Sequence, residues 1–361
     1  MGSRGSAVST VRRRRPADPP FPKTPMIAPH DLGRGRLEEG IPNGRPQKVL
    51  RIDASGAPPT LIGRLLVGSY ITGQDQVLVT ARGGLTNSQR KEVRRVVERL
   101  LGMSVVGESA AVVEVQNFID PSKYELPRLL HRVVEMLREE LQICRAALGG
   151  DTAAPLGRIE GIEEEVDQLY LLMARQLLLS SDNPQIARDI DVVSHHYQIG
   201  SRLVVKVLEV TGDLIHGIGT DLEQNLPGLL RMPHTLTREL VARVRRLEDV
   251  LTRTMDAFAA LSVVEANATL NRIAEALPKD TFLGQLIARR APDHRTAVAA
   301  QRIVCNLVMA LEMLVIANEV TINRCVEPET VALTGTRVAL GPRSGARSPP
   351  LARPAVLAPH A

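Results

Sequence analysis

IEGIEEEVDQLYLLMARQLLLS begins residues 159–219, the segment that decides the fold. A break that contains a proline follows, and the segment ends with YQIGSRLVVKVLEVTGDLIHGIG. Apolar residues recur every three or four positions on both sides of the break, which is the period of an amphipathic helix. Glu163 and Asp167 lie four residues apart before the break, and Glu209 and Asp213 repeat that spacing after it. At about 3.6 residues per turn, the two carboxylates of each pair share one helix face. The segment therefore predicts two long helices, each with an acid pair on one side.

The length of the break brings the two acid pairs to one level. If residue 186 is its midpoint, Glu163 and Glu209 each lie 23 residues from that point. In an antiparallel hairpin they would face each other, with Asp167 and Asp213 one turn to either side. Four carboxylates so close together repel one another and raise each other's pKa unless a cation neutralises them. The pattern is consistent with a metal site, although a solvated helix face is the commoner role of a single acid pair.

Helical periodicity extends over about 200 residues around this segment. Apolar stripes in residues 121–228 predict three helices that pack as one antiparallel bundle. A second set in residues 233–328 follows the same order, with a shorter middle helix near 261–277. A repeat on this scale predicts two tandem three-helix units whose faces pair. The fold class is therefore mainly α.

Residues 47–120, ahead of the helical sets, show a mixed pattern. The stretches QKVLRI and QVLVT predict short strands, and SVVGESAAVVEVQNF predicts a hairpin. Asn87 or Ser88 can cap a helix between them, and Gly102 can end it. We expect a small α+β domain here.

The net charge of +5 belongs to the two ends of the chain. Residues 1–46 hold nine Lys or Arg against four acids, and residues 336–361 hold four Arg and no acid, which leaves −4 for the part between them. Both ends are rich in Pro, Gly and Arg and are predicted to be disordered. The folded part is mildly acidic, so the basic isoelectric point by itself does not indicate a nucleic-acid binder.

Many catalytic and metal-binding motifs are missing. The sequence has no GxxxxGK loop, HExxH, CxxC or Glu-x-x-His pair, and Cys144, Cys305 and Cys325 are expected to be thiols in a reducing cytosol. No uninterrupted apolar stretch approaches the ~20 residues of a membrane span. His216, three residues after Asp213, could add a ligand, although a lone histidine on a helix is more often a bystander. We therefore expect a cytoplasmic protein that neither inserts into a membrane nor acts as an enzyme.

At its helical repeats the chain resembles the PhoU family. The segments EEEVDQLYLLMARQL and LVVKVLEVTGDLI are similar to PhoU repeats, which carry an E-or-D-xxx-D motif on adjacent helices. The resemblance, over about residues 120–327, implies a negative regulator of phosphate uptake and phosphate homeostasis. It also implies an iron or zinc site at Glu163, Asp167, Glu209 and Asp213, and as partners a phosphate ABC transporter or a sensor kinase.

The second helical set departs from the family motif. It has Asn267 and Asn271 in VVEANATLNRI, and Leu311 where an aspartate would be expected. Amides lack the charge that holds a hard cation. We therefore predict at most one metal site, in the first set.

Residues 47–120 extend the resemblance to archaeal-type PhoU relatives with an N-terminal AbrB/SpoVT-like domain. QKVLRI and ITGQDQVLV are similar to strands of that domain, which implies DNA binding through Lys48 and Arg51, and a homodimer that completes a swapped hairpin. The stretch ASGAPPTLIGRLL replaces the family's usual hydroxyl-rich strand and turn. Two alternatives stay open, a helical interaction scaffold and a DNA-binding transcriptional regulator without a metal site.

Overall fold

The computed structural model describes residues 48–327, with the side chain of Thr281 excepted. By its contacts the chain divides after Pro46, and all the described residues belong to one compact unit. The predictions of disorder for residues 1–46 and 336–361 lie outside the described residues.

The first layer is a four-stranded sheet with two helices. Its elements, in chain order, are β1 (Val49–Asp53), α1 (Pro59–Ile71), β2 (Gln76–Thr80), α2 (Asn87–Glu98), β3 (Met103–Glu108) and β4 (Val112–Asn117). The strand order is β1-β2-β4-β3, with β1 parallel to β2 and β4 antiparallel to both its neighbours. Alternate residues such as Val77, Val79, Val113 and Val115 are fully or almost fully buried, so one face of the sheet packs against the helices.

The predicted strands and hairpin of this layer are confirmed, and the predicted helix between them is α2. The prediction that Asn87 or Ser88 caps this helix was wrong. Thr86 caps α2, and its side chain and that of Gln89 form a reciprocal capping box. The structure adds α1, which the sequence pattern had not indicated. Because β1 and β2 are parallel, the chain needs a long crossover between them, and α1 supplies it. All four strands pair within this one chain, where we had expected half of a swapped hairpin.

Seven helices follow a short 3₁₀ turn at Pro121–Lys123. They are α3 (Leu126–Leu148), α4 (Arg158–Asp182), α5 (Pro184–Asp189), α6 (His195–Leu230), α7 (His234–Ala260), α8 (Val263–Arg290) and α9 (His294–Val326). The prediction that the middle helix of the second set is short was wrong, because α8 continues through Pro278 for 28 residues. Leu283 and Ile287, beyond the proline, are buried in the common core, which favours helix over the local cost of the proline.

The long helices surround one continuous apolar core. It runs from Leu126 in α3 to Val320 in α9 and includes residues of both predicted sets. α6 packs against α3, α4 and α9, and α9 also packs against α7 and α8. The mainly helical class is confirmed. The finer division into two tandem three-helix units stays a prediction.

Arg175 of α4 connects the sheet layer to the helices. Its side chain is fully buried, and Nη1 donates hydrogen bonds to the carbonyls of Tyr70, at 2.6 Å, and Gln74, at 3.0 Å. The guanidinium carbon lies 5.1 Å from the centre of the Tyr70 ring, a cation–π contact. Buried charge-assisted bonds of this kind fix the position of α4 relative to the sheet layer.

Within residues 48–327, one helix, α9, is long and apolar enough to cross a membrane by length and composition alone. Half of its most apolar window is buried inside the protein, and core helices of soluble proteins commonly have the same character. The helix is weak evidence for a membrane span.

Candidate metal centre

The two acid pairs lie on α4 and α6, as the spacing predicted. α6 begins at a Ser194 cap, whose hydroxyl accepts the backbone N–H of Tyr197. Ile162 and Val166 on α4 point into the core, so Glu163 and Asp167 lie at the edge of the buried face. Helical periodicity thus puts each pair beside the seam between the two helices.

Two glycines set the register between α4 and α6. A Cβ atom on Gly219 would lie 2.6 Å from Ile159 Cδ1, and one on Gly212 would lie 3.4 Å from Val166 Cγ1. The absent side chains allow the two helices to approach closely. These two contacts show that α4 and α6 are antiparallel, so Asp213, the residue after Gly212, lies opposite residue 165, the residue before Val166. Asp213 is therefore level with a point between Glu163 and Asp167.

Three of the four predicted ligands converge. Oxygen atoms of Glu163, Asp167 and Asp213 all lie within 4.8 Å of one another. Glu209 lies one turn before Asp213 on α6 and makes an ion pair with Lys206. The expectation that Glu209 faces Glu163 was wrong, because the chain between α4 and α6 is not a symmetric turn: it contains α5 and a further loop.

Burial and mutual repulsion act on the acids of this group. The pKa of Glu163 is raised, chiefly by burial and then by the charge of Asp167. The pKa of Asp213 is also raised, by burial first and by Asp167 second. Arg99, which caps the C-terminus of α2, forms an ion pair with Asp167 and brings one positive charge from the sheet layer. The group as a whole keeps more negative than positive charge, which is the condition that favours a bound cation.

His216 borders the same group. Its Nε2 lies 3.7 Å from an oxygen of Glu160, and its Nδ1 is inaccessible to solvent without a hydrogen-bond partner in the described part of the chain. Protonated, it would act on Glu163 and Asp213, because its charge lowers the pKa of both. It is therefore close enough to influence an ion there.

Sequence reasoning missed Glu140. This residue of α3 is fully buried, and neither carboxylate oxygen has a hydrogen-bond partner within residues 48–327. Burial, and then the charge of Glu163, raises the pKa of Glu140 to about 9. One signal could have found it: Glu140 stands between Leu137 and Cys144 on the apolar stripe of its helix, where a charged residue is out of place.

A cavity of about 450 Å³ opens beside the carboxylate group. Asp167 and Glu209 line it from α4 and α6, and Arg64, Arg95 and Arg99 line it from α1 and α2. Arg95 is held by two hydrogen bonds to Glu92, of 2.7 and 2.8 Å, within α2. The cavity gives the Asp167 side of the group a route to solvent.

The second helical set has a different surface where the first has its acids. Asn267 and Asn271 are exposed on α8, and Leu311 is a core residue of α9. Among residues 48–327, Glu163, Asp167 and Asp213 form the group whose ligand atoms come close enough to hold one ion. The prediction of at most one metal site, in the first set, stays a prediction.

The predicted DNA contacts lie apart from this site. Lys48 and Arg51 are exposed at β1, an edge strand of the sheet. Residues three apart in an extended chain point to opposite faces, so the two side chains do not form one basic surface. DNA binding through this layer stays a prediction.

Comparison of this chain with protein-family models, with curated proteins and with solved structures gives no match.

Proposed function

We propose that this chain is a PhoU-like regulator of phosphate uptake and cellular phosphate homeostasis, with a metal site at the carboxylate group of α4 and α6. In this proposal α3, α4 and α6 form the first repeat, and α7, α8 and α9 the second. The protein acts in the cytoplasm, as a homodimer, by contact with a phosphate transporter or a sensor kinase rather than by catalysis. DNA binding is a separate prediction that the metal site does not require.

One observation carries the proposal. The two segments that resemble PhoU repeats bring three carboxylates within 4.8 Å of one another at a helix seam. The set of ligand atoms fits a hard cation, because all three are carboxylate oxygens. Ferric iron suits such a set better than zinc, which prefers nitrogen and sulfur ligands in structural sites. A buried acid with unpartnered oxygens next to the group, Glu140, supports the fit further.

Metal analysis of the purified protein tests this proposal. We expect wild-type protein to retain iron or zinc, and a Glu163→Ala/Asp167→Ala variant to lose most of it. The matched control is Glu164→Ala/Glu165→Ala, which removes the same charge from exposed positions of the same helix and should leave the metal content unchanged. If neither wild type nor variant holds metal, the sensor mechanism fails and an interaction scaffold becomes the better interpretation.

A second experiment, co-purification from cells, tests which protein is the regulatory partner. Tagged protein is isolated from cells grown at high and low phosphate, and the co-purified proteins are identified. We expect transporter or kinase components whose recovery depends on phosphate and on Glu163 and Asp167. Recovery that is equal at both phosphate levels would contradict a role in phosphate signalling.

A further inference from the structure

Among the described residues, the carboxyl group of Glu140 has no partner that accounts for its burial. Its side chain is 0% accessible, and neither of its oxygens makes a hydrogen bond within the described residues. Burying a polar group without a hydrogen bond lowers the stability of the folded state, and more so when the group is charged. Most buried polar groups in proteins are satisfied, so an exception indicates a role or an absent partner.

The packing of α3 on α4 places Glu140 beside Glu163. Two ion pairs show that these helices are antiparallel. Arg132 of α3 pairs with Glu165 of α4 at 3.0 Å, and Glu139 of α3 pairs with Arg158 of α4 at 2.7 Å. The second pair lies seven residues further along α3 and seven residues further back along α4. In the interior, a Cβ atom on Gly212 would lie 3.2 Å from Leu137 and 3.4 Å from Val166, so these two residues share one level.

Glu140 lies about one helical turn after Leu137 on α3, and Glu163 lies about one turn before Val166 on α4. Because the helices are antiparallel, both turns run in the same direction in space, so Glu140 and Glu163 are level with each other. The charges that act on Glu140 agree with this position, because Glu163 and Glu139 are the two groups that raise its pKa besides burial. Both are acids. The unpartnered carboxyl therefore lies beside Glu163, outside the three carboxylates whose oxygens are within 4.8 Å of one another, and it meets negative charge there.

We propose that Glu140 is a further ligand of the metal site, supplied by α3, so that three helices rather than two hold the ion. This inference rests on the proposed function. Glu140 would add a fourth negative charge to those of Glu163, Asp167 and Asp213. Arg99 offsets the charge of Asp167, and Lys206 acts on that of Asp213. The net negative charge that remains favours ferric iron over a single divalent ion, because affinity at carboxylate sites follows the number of ligand charges. The ion is the partner that accounts for the burial of Glu140.

Four metal-free proteins test the role of Glu140: wild type, Glu140→Gln, Glu139→Gln and Glu163→Ala/Asp167→Ala. Each is titrated with ferric iron supplied as its nitrilotriacetate complex, and affinity and bound iron per chain are measured. We expect Glu140→Gln to weaken ferric affinity by about 10- to 100-fold. Glu139→Gln removes the same charge from the neighbouring residue, which pairs with Arg158, and should change affinity by less than about 3-fold.

The outcomes separate the two proposals. If wild type binds no iron, the metal site itself is absent and both proposals fail. If wild type binds iron, the double variant does not, and Glu140→Gln binds as wild type does, the metal site stands and the role of Glu140 is overturned.

Thermal unfolding of the metal-free proteins checks that a loss of ferric affinity in Glu140→Gln does not come from a loss of folding stability. Glu140→Gln, and Glu140→Leu as a second variant, should melt at or above the wild-type temperature, because each removes a buried carboxyl without a partner. If both variants unfold more easily than wild type in the absence of metal, Glu140 has a structural role and the inference is overturned.

Discussion

Glu140 in α3 and Asp280 in α8 are both almost completely buried, but their surroundings are opposite. Asp280 lies 2.8 Å from Nε of Arg243 and accepts hydrogen bonds of 3.0 and 3.2 Å from Arg246. Among the described residues, the charged groups that act on Glu140 are the acids Glu163 and Glu139. The second helical set neutralises Asp280 with its own arginines, whereas Glu140 in the first set has no such partner among the described residues.

This difference agrees with the change of residues between the two sets. The first set keeps Glu163, Asp167 and Asp213 together, and the second has Asn267 and Asn271 on its exposed face. A buried charge needs a partner of opposite sign, and a protein can supply that partner as arginine or as a metal ion. Because the arginines belong to the chain itself, the charge of Asp280 is neutralised at any metal concentration.

The largest effect is expected for Asp280→Asn. The change removes the buried carboxylate that Arg243 and Arg246 share, although Arg243 keeps its ion pair with Glu239, and breaking a buried pair costs about 3–5 kcal/mol of unfolding free energy. Urea unfolding measures it. Asp249→Asn is the control, because Asp249 is in an exposed ion pair with Arg253 and its loss should cost less than about 0.5 kcal/mol. Similar costs for the two changes would remove the contrast between the two sets.

An opposite and smaller effect is expected for Glu140→Gln in metal-free protein. The carboxyl of Glu140 stays protonated in the folded state up to a pKa of about 9, while in the unfolded chain it ionises near 4.5. The folded state binds the extra proton between these values, so this group lowers the stability of wild type as pH rises through that window, by at most about 1.4 kcal/mol per pH unit. The stability of the variant relative to wild type should therefore rise with pH, and the variant should be the more stable of the two proteins at pH 8.

Urea unfolding of both proteins from pH 5 to pH 9 checks this expectation. Below pH 4.5 the carboxyl is protonated in both states, and the two proteins should differ little. A difference that does not change with pH would show that Glu140 is ionised when buried, and its surroundings would then have to contain a cation.

The smallest effect separates two acids of α6. Glu209 has its own cation in Lys206, whereas Asp213 lies in the carboxylate group without a salt bridge among the described residues. We expect Asp213→Asn to weaken ferric binding by at least about 10-fold, and Glu209→Gln by less than about 3-fold. Equilibrium titration of both metal-free variants measures the two affinities. The reverse order would mean that α4 and α6 pair with the symmetric register expected from the length of the break.

Much of the fold could be predicted from local patterns. Apolar stripes indicated the long helices, and alternation indicated the four strands, because each element must bury one face. The pattern failed where a distant contact decided the outcome. α1 lies in a stretch rich in Gly and Pro, and α8 passes through Pro278 because residues beyond it reach the common core.

The candidate site divides in the same way. The spacing of Glu163 and Asp167, and of Glu209 and Asp213, determined by itself that each pair shares a helix face, since that follows from 3.6 residues per turn. Only the tertiary structure decided which acids meet. Close contacts at Gly212 and Gly219 set the register that brings Asp213 in and leaves Glu209 with Lys206. The packing of α3 added Glu140, because contacts between helices depend on interdigitating side chains that no local spacing specifies.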